Sequence, residues 1–240
     1  MRLCILPLLA LFAIPAARAA EPVDVALVLV SDVSRSIDDS EFALQKQGYL
    51  AAFTDARLLA AIASLPHGAI AVSYVEFASA GDTAVVLGWT MVRDAGSAKA
   101  FAERLMAEPR HFSGRTAIGD GVELAEHTLL ASGFTGARAV IDVCGDGTNN
   151  AGRAVQDVRD EAVEAGMTIN GLTIINDHPV SWAHAHVQPP GGLTKYYREN
   201  VIGGPGAFVL EVHDFQSFGG AMTRKLIDEI AAIRTRYAAR

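Results

Sequence analysis

The chain has 240 residues, of which 20 are Lys or Arg and 27 are Asp or Glu, so its formal net charge at pH 7 is −7. Nucleic acids and anionic membranes are bound through clusters of basic side chains, so this acidic balance argues against both as partners. The length fits one domain with added segments, because a domain holds roughly 100 to 200 residues.

Residues 1–19 have the pattern of an export signal. A basic residue precedes the apolar run 3–14, and Ala17-Arg18-Ala19 is a small-x-small cleavage site. The apolar run is shorter than the roughly 20 residues that a helix needs to cross a bilayer. We therefore expect a periplasmic or secreted protein in which residues 20–240 form a single domain without a membrane span.

Apolar runs rich in β-branched residues alternate with segments of helical periodicity through most of the chain. The apolar runs predict strands at 23–30, 69–78, 84–87, 139–143, 167–175 and 207–212. The periodic segments predict helices at 40–60, 95–107, 118–131, 151–165 and 215–236. Strands that are apolar throughout and alternate with helices are typical of a parallel sheet covered on both faces. A short loop at 80–83 predicts one hairpin, so we expect a doubly wound, mostly parallel α/β fold with one antiparallel edge strand.

The segment 176–206 interrupts this alternation. It is rich in Pro and Gly, with room for a short helix near 193–200, and is predicted to be an insertion. The histidines His178, His184 and His186 lie within it and have two interpretations. They form either a second metal site with imidazole ligands or an exposed loop without a shared role.

Oxygen-bearing side chains follow two predicted strands and precede one predicted helix. Asp32, Ser34 and Ser36 alternate after the first strand, so an extended backbone would point them the same way. Thr116 precedes the helix at 118–131, and Asp146 follows the strand at 139–143. Ligands of open α/β sheets bind at the carboxyl ends of the strands. Two carboxylates and three hydroxyls are hard ligands that suit Mg²⁺, with Mn²⁺ or Ca²⁺ as alternatives.

The order Asp32-x-Ser34-x-Ser36, Thr116 and Asp146-Gly147 resembles the metal-ion-dependent adhesion site of von Willebrand factor type A (vWA) domains. The resemblance implies that the two serines and the threonine ligate the ion directly or nearly so. It implies that the aspartates often act through water, and that an Asp or Glu of a protein partner completes the coordination shell.

The resemblance covers about residues 23–233, and the segments 114–119 and 200–206 further resemble an exported bacterial branch of the family whose function is unassigned. One position departs from the family pattern. Many members place Thr or Ser directly before the last aspartate, where this chain has Gly145. The resemblance therefore implies a lower metal affinity.

We interpret the chain as a cation-dependent protein-binding module and not as an enzyme. Arg35, Arg115, Asn149 and Asn150 surround the predicted ion, so they and the insertion are the candidates for contacting the partner. Two alternatives remain open: a metal-dependent hydrolase that uses the same cluster, or a cation that only ties the loops together. The chain has neither a Gly-x-Ser-x-Gly nucleophile motif nor a Gly-rich phosphate-binding motif.

Two further carboxylates, Glu76 and Asp142, fall within predicted strands. A carboxylate buried in a sheet needs a hydrogen-bonded or charged partner. Carboxylates are rarely buried unpaired, so we expect both at a strand end or at an exposed sheet edge.

Overall fold

The computed structural model describes residues 22–134, 137–175 and 189–238, with side chains described as far as residue 231. The predicted export signal at 1–19 and the three histidines of the insertion lie outside these residues. None of the helices in the described ranges is long and apolar enough to cross a membrane.

Six strands form one sheet in the order β3-β2-β1-β4-β5-β6. Neighbouring strands are parallel except β3, which runs antiparallel to β2 at one edge. The predicted fold class is therefore confirmed, including its antiparallel edge strand. The strands are β1 (Val25–Asp32), β2 (Ile70–Phe77), β3 (Thr83–Val92), β4 (Arg138–Gly145), β5 (Thr168–Ile174) and β6 (Val209–Val212).

Helices cover both faces of this sheet. They are α1 (Asp39–Thr54), α2 (Ala56–Ala63), α3 (Ala95–Ala107), α4 (Ile118–Leu130), α5 (Val155–Glu164), α6 (Leu193–Tyr196) and α7 (Phe218–Ala238). A π-helical turn, Tyr197–Val201, continues α6.

The single helix predicted at 40–60 is two helices, and Asp55 separates them. Its backbone is extended, with φ −74° and ψ 125°, and its side chain accepts a hydrogen bond from the N–H of Arg57 at 2.7 Å. An aspartate in this conformation ends one helix and caps the next. The N-terminal cap of α1 is Asp38, whose side chain accepts from the N–H of Glu41 at 2.9 Å.

Strand β1 shows why the predicted strands are apolar throughout. Val25, Leu27 and Leu29 belong to the core under α1, α2, α3 and α7, whereas Val28 and Val30 belong to the core under α4 and α5. Because successive side chains of a strand point to opposite faces, both sets of positions must be apolar.

The expectation for Glu76 and Asp142 is wrong, since both side chains are fully buried. Asp142 pairs with Lys225 of α7, and Glu76 accepts a hydrogen bond from the backbone N–H of His111 at 3.1 Å. Their partners come from elements distant in sequence, so the local pattern could not indicate them.

The sheet order places a crevice between β1 and β4. The chain leaves β1 towards β2 on one side and leaves β4 towards β5 on the other. The loops after these two strands therefore diverge, and the carboxyl ends of β1 and β4 become the ligand-binding position of such a sheet.

Candidate metal site

The loop after β1 is turned by its own aspartate. Asp32 is the last residue of β1, is fully buried, and accepts a hydrogen bond from the backbone N–H of Ser34 through Oδ1 at 2.8 Å. The hydroxyls of Ser34 and Ser36 lie 2.9 Å apart. The alternating side chains therefore face the same point, as the sequence predicts.

Asp146 and Thr116 join this group from two other loops. The Ser36 hydroxyl donates to Asp146 Oδ1 at 2.7 Å, and the Thr116 hydroxyl donates to Ser34 Oγ at 3.3 Å. Ser36 is half-buried and the other three are buried. The structure thus brings all five predicted ligands together, four of them in one hydrogen-bonded chain with Asp32 at its base.

Arg110 holds the loop after β1 in place. Its guanidinium donates to the backbone carbonyls of Val33 at 2.6 Å, Ser34 at 2.5 Å and Ile37 at 2.8 Å. A planar guanidinium presents several donors in fixed directions, so it can satisfy a turn of main-chain oxygens at once. The sequence does not indicate this residue, because main-chain acceptors leave no motif.

Asn150 joins the loop after β4 to the loop that carries Thr116. Its Oδ1 accepts from the N–H of Thr116 at 3.0 Å and from Arg115 Nε at 3.3 Å, and its own N–H donates to the Thr116 carbonyl at 2.8 Å. The N–H of Arg153 donates to Asp120 Oδ1 at 2.7 Å. The N–H groups of Asn150 and Arg153 therefore bond to other parts of the chain and not within a helix. This explains why α5 begins at Val155 and not at the predicted residue 151.

The four predicted partner-contacting residues differ in exposure. Arg35, Arg115 and Asn150 are exposed around the oxygen cluster, whereas Asn149 is half-buried. The Asn149 side chain accepts from the N–H of Gly119 at 3.0 Å and donates to a backbone carbonyl in the following loop at 2.9 Å. Its amide is thus engaged on both sides within the protein.

The electrostatics of the cluster suit a cation. Burial, and then the nearby charge of Asp146, raise the pKa of Asp32 to about 8. Asp32 Oδ2 is buried and has no hydrogen-bond partner among the described residues. An ionised carboxylate in such a place is costly unless a positive charge compensates it. The residues present therefore fit a divalent cation held by oxygen ligands.

The donor set distinguishes this cluster from other metal sites. Within the described ranges, no group of three or more His, Cys, Asp or Glu side chains is arranged to hold a metal ion. The cluster has two carboxylates, and its remaining oxygens are hydroxyls. The two carboxylates balance the charge of a divalent ion, and oxygen ligands of this kind suit hard cations such as Mg²⁺.

Solved structures with the same fold include a byssus matrix protein, a pilus adhesin and a von Willebrand factor type A protein. Proximal thread matrix protein 1 from the mussel byssus superposes with TM-score 0.61 and 15% identity, over 88% of this chain and 48% of that protein. In that structure zinc occupies the metal-ion-dependent adhesion site (MIDAS) motif. The pilus adhesin SpaC from Lactobacillus rhamnosus GG gives TM-score 0.58 and 15% identity over 87% of this chain and 31% of its own. A von Willebrand factor type A protein from Catenulispora acidiphila superposes with TM-score 0.57 and 16% identity. The match covers 87% of this chain and 43% of that protein.

These likenesses show the fold, and this chain spans less than half the length of each of the three proteins. No curated protein matches the chain by sequence. The family described as "Protein of unknown function (DUF1194)" matches residues 22–234, nearly the whole of the predicted mature domain. The chain therefore belongs to the DUF1194 family, whose fold is of the von Willebrand factor type A kind.

Proposed function

We propose that the protein is an exported protein-binding module whose site holds one divalent cation, Mg²⁺ in the first instance. The observation that carries the proposal is that Ser34, Ser36, Thr116 and Asp146 form one hydrogen-bonded chain at the carboxyl ends of β1 and β4. The buried carboxylate of Asp32 lies next to this chain and accepts from the N–H of Ser34. The mussel relative, whose MIDAS motif is occupied by zinc, supports a metal at this position of the fold.

Binding fits the cluster better than catalysis does. Hydrolases that activate water with Mg²⁺ normally use several carboxylates, often with a second ion and a general base. Here Asp32 and Asp146 are the carboxylates, and Ser34, Ser36 and Thr116 contribute neutral hydroxyls. The two carboxylates balance the charge of the ion, and an ion that otherwise has only neutral hydroxyls and water as ligands can accept a further oxygen ligand. An Asp or Glu of a protein partner supplies such a ligand.

Titration calorimetry tests the metal site directly. Mg²⁺ and Mn²⁺ are titrated into metal-stripped protein that begins at residue 20, alongside Asp146→Ala and the double variant Ser34→Ala/Ser36→Ala. We expect one saturable site in the wild type and none in either variant. Binding that survives both substitutions would place the ion elsewhere and refute the proposal.

Two further measurements separate the alternatives. Partner capture on immobilised protein is compared with Mg²⁺ and with EDTA, using Asp146→Ala as the control; retention that depends on both Mg²⁺ and Asp146 supports the binding function. Hydrolase assays with and without EDTA test the enzymatic alternative. A cation that stabilises the protein while capture and hydrolysis stay independent of it would indicate loop-tying alone.

Export is tested on the mature protein. We expect its N-terminal sequence, read from the periplasmic or secreted fraction, to begin at residue 20, because cleavage follows Ala17-Arg18-Ala19. An uncleaved N-terminus in the cytoplasmic fraction would contradict this part of the proposal.

A further inference from the structure

A buried tyrosine reaches the base of the candidate metal site. Tyr197 is fully buried, and its hydroxyl has no hydrogen-bond partner among the described residues. The same is true of Asp32 Oδ2. A Cβ atom on Gly145 would lie 2.7 Å from the Tyr197 hydroxyl and 3.0 Å from Asp32 Oδ2. The two unpartnered oxygens therefore flank the same point.

Two glycines make room for this phenol. Gly145 lies under the hydroxyl end, and a Cβ on Gly171 of β5 would lie 3.0 Å from Tyr197 Cδ1. Val143 pairs with Gly171 in the register of β4 and β5, so the two glycines lie two positions apart on the same face. They form a trough in which the ring lies across β5 and β4 and points its hydroxyl towards β1. A side chain at either position would displace the ring.

Tyr197 is the first residue of the π-helical turn Tyr197–Val201. The hydroxyl of the preceding residue, Tyr196, accepts a hydrogen bond from the N–H of Asn149 at 3.2 Å. Consecutive tyrosines thus contact one loop at two points, Tyr197 near Gly145 at its start and Tyr196 at Asn149 within it. Single π-helical turns within helices are found frequently at functional sites.

Packing alone does not account for the hydroxyl. A phenylalanine would fill the trough equally well, and burying a hydroxyl without a hydrogen bond destabilises a fold. The hydroxyl is a potential donor, and a carboxylate oxygen without a donor of its own lies close to the same Cβ position of Gly145. This juxtaposition suits the ionised form of Asp32, which can accept hydrogen bonds through both oxygens.

We propose that Tyr197 is a positioning residue of the metal site, whose hydroxyl donates to Asp32 Oδ2, directly or through one water, and orients that carboxylate towards the cation. The inference rests on the proposed cation site. It also gives a role to Gly145, because the phenol occupies the space that a side chain at this position would fill and supplies a hydroxyl there.

The decisive variant is Tyr197→Phe. We expect the dissociation constants of Mg²⁺ and Mn²⁺, measured by calorimetry, to rise by about 10-fold, the lower end of the range for groups that orient metal ligands. The unfolding midpoint of the metal-stripped protein should stay the same or rise, since the variant removes an unpartnered buried hydroxyl. Weaker cation binding without a loss of stability indicates a positioning role. A structural role of the hydroxyl would instead lower the unfolding midpoint of the metal-stripped variant.

Tyr74→Phe is the matched control, because it removes an equally buried hydroxyl in the core on the opposite face of the sheet. We expect its cation affinity to equal that of the wild type. Mg²⁺ should also produce a tyrosine difference spectrum in the near ultraviolet that is retained in Tyr74→Phe and lost in Tyr197→Phe.

The outcomes are distinguishable. If the wild type binds no cation, the proposed function fails, and this inference fails with it. If the wild type and Tyr197→Phe bind cations equally, the inference alone is overturned. A metal-stripped Tyr197→Phe protein that is less stable than the wild type would assign the hydroxyl to the fold and would also overturn it.

Discussion

Lys225 of α7 and Asp142 of β4 form an ion pair in which both side chains are fully buried. Lys225 also donates to Glu229 Oε1 at 2.7 Å, and Asn170 Nδ2 donates to the same oxygen at 2.7 Å. One ammonium group thus lies between two carboxylates beneath the last helix. This arrangement ties α7 to the neighbouring parallel strands β4 and β5.

At about pH 8, where Asp142 is ionised, replacing Lys225 by Met should lower the free energy of unfolding by about 3 kcal/mol, because it leaves this carboxylate buried without its cation. Urea unfolding of the metal-stripped proteins measures the difference. Arg224→Met is the control one position earlier in α7, where the side chain is 77% exposed and its contact with Asp228 is 3.9 Å. That change should stay within about 0.5 kcal/mol. Equal effects of the two substitutions would contradict the structural role of the buried pair.

The same carboxylate predicts how stability depends on pH. Burial, with a further contribution from Glu229, raises the pKa of Asp142 to about 7 against the opposing effect of Lys225. In the unfolded chain an aspartate titrates near pH 4. Between about pH 4 and pH 7 the folded protein therefore holds a proton that the unfolded chain has released. Its stability should fall as the pH rises through this window.

Asp142→Asn tests this dependence, because asparagine does not titrate. In EDTA, the unfolding free energy of the wild type should fall more steeply between about pH 5 and pH 7 than that of the variant. Burial also raises the pKa of Glu76, which gives both proteins a common slope of the same sign. Parallel curves would show that Asp142 is ionised throughout the window.

The sequence predicts the sheet well because its signals are local. Strand β1 is buried on both faces, so it requires apolar residues at successive positions, and that requirement is visible in the sequence itself. The helix predicted at 40–60 fails at Asp55, since helical periodicity continues across a cap that ends one helix and starts another. Only the conformation of that single residue separates the two helices.

The candidate site likewise contains some residues that the sequence predicts and others that it does not. Its five oxygen-bearing residues are predicted because they follow strands in a recognisable order. Arg110 and Tyr197 are not predicted, because they reach the site across the fold and contact main-chain carbonyls or face a carboxylate oxygen. Such contacts arise only when the chain has folded, so no spacing in the sequence records them.

Arg110 should be needed for both stability and cation affinity. Arg110→Ala leaves the buried carbonyls of Val33, Ser34 and Ile37 without their charged donor, so we expect a loss of about 2 kcal/mol in unfolding free energy. We also expect weaker Mg²⁺ binding, since the loop that carries the serines loses its support. Arg110→Lys should recover little, because an ammonium cannot reproduce the planar arrangement of donors.

Arg35→Ala is the matched control for Arg110, because Arg35 belongs to the same loop and its side chain is exposed. Its unfolding free energy should stay within about 0.5 kcal/mol of the wild type, with unchanged Mg²⁺ affinity. Chemical unfolding and calorimetry on the two variants give the comparison. An Arg110→Ala protein that resembles Arg35→Ala in both measurements would show that the guanidinium contacts do not support the loop.

Asp146→Asn should have opposite effects with and without cation. In EDTA at about pH 8, the substitution removes a charge that disfavours ionisation of the buried Asp32, so the unfolding midpoint should rise. With saturating Mg²⁺ the wild type gains stability from the bound ion and the variant does not, so the order of the two midpoints should reverse.

Ser36→Ala carries no charge change and removes the donor to Asp146 Oδ1, so in EDTA its midpoint should fall. If Asp146→Asn is less stable than the wild type both in EDTA and with Mg²⁺, Asp146 stabilises the fold itself. A residue that serves only to bind the cation should lower the stability of the wild type when the cation is absent.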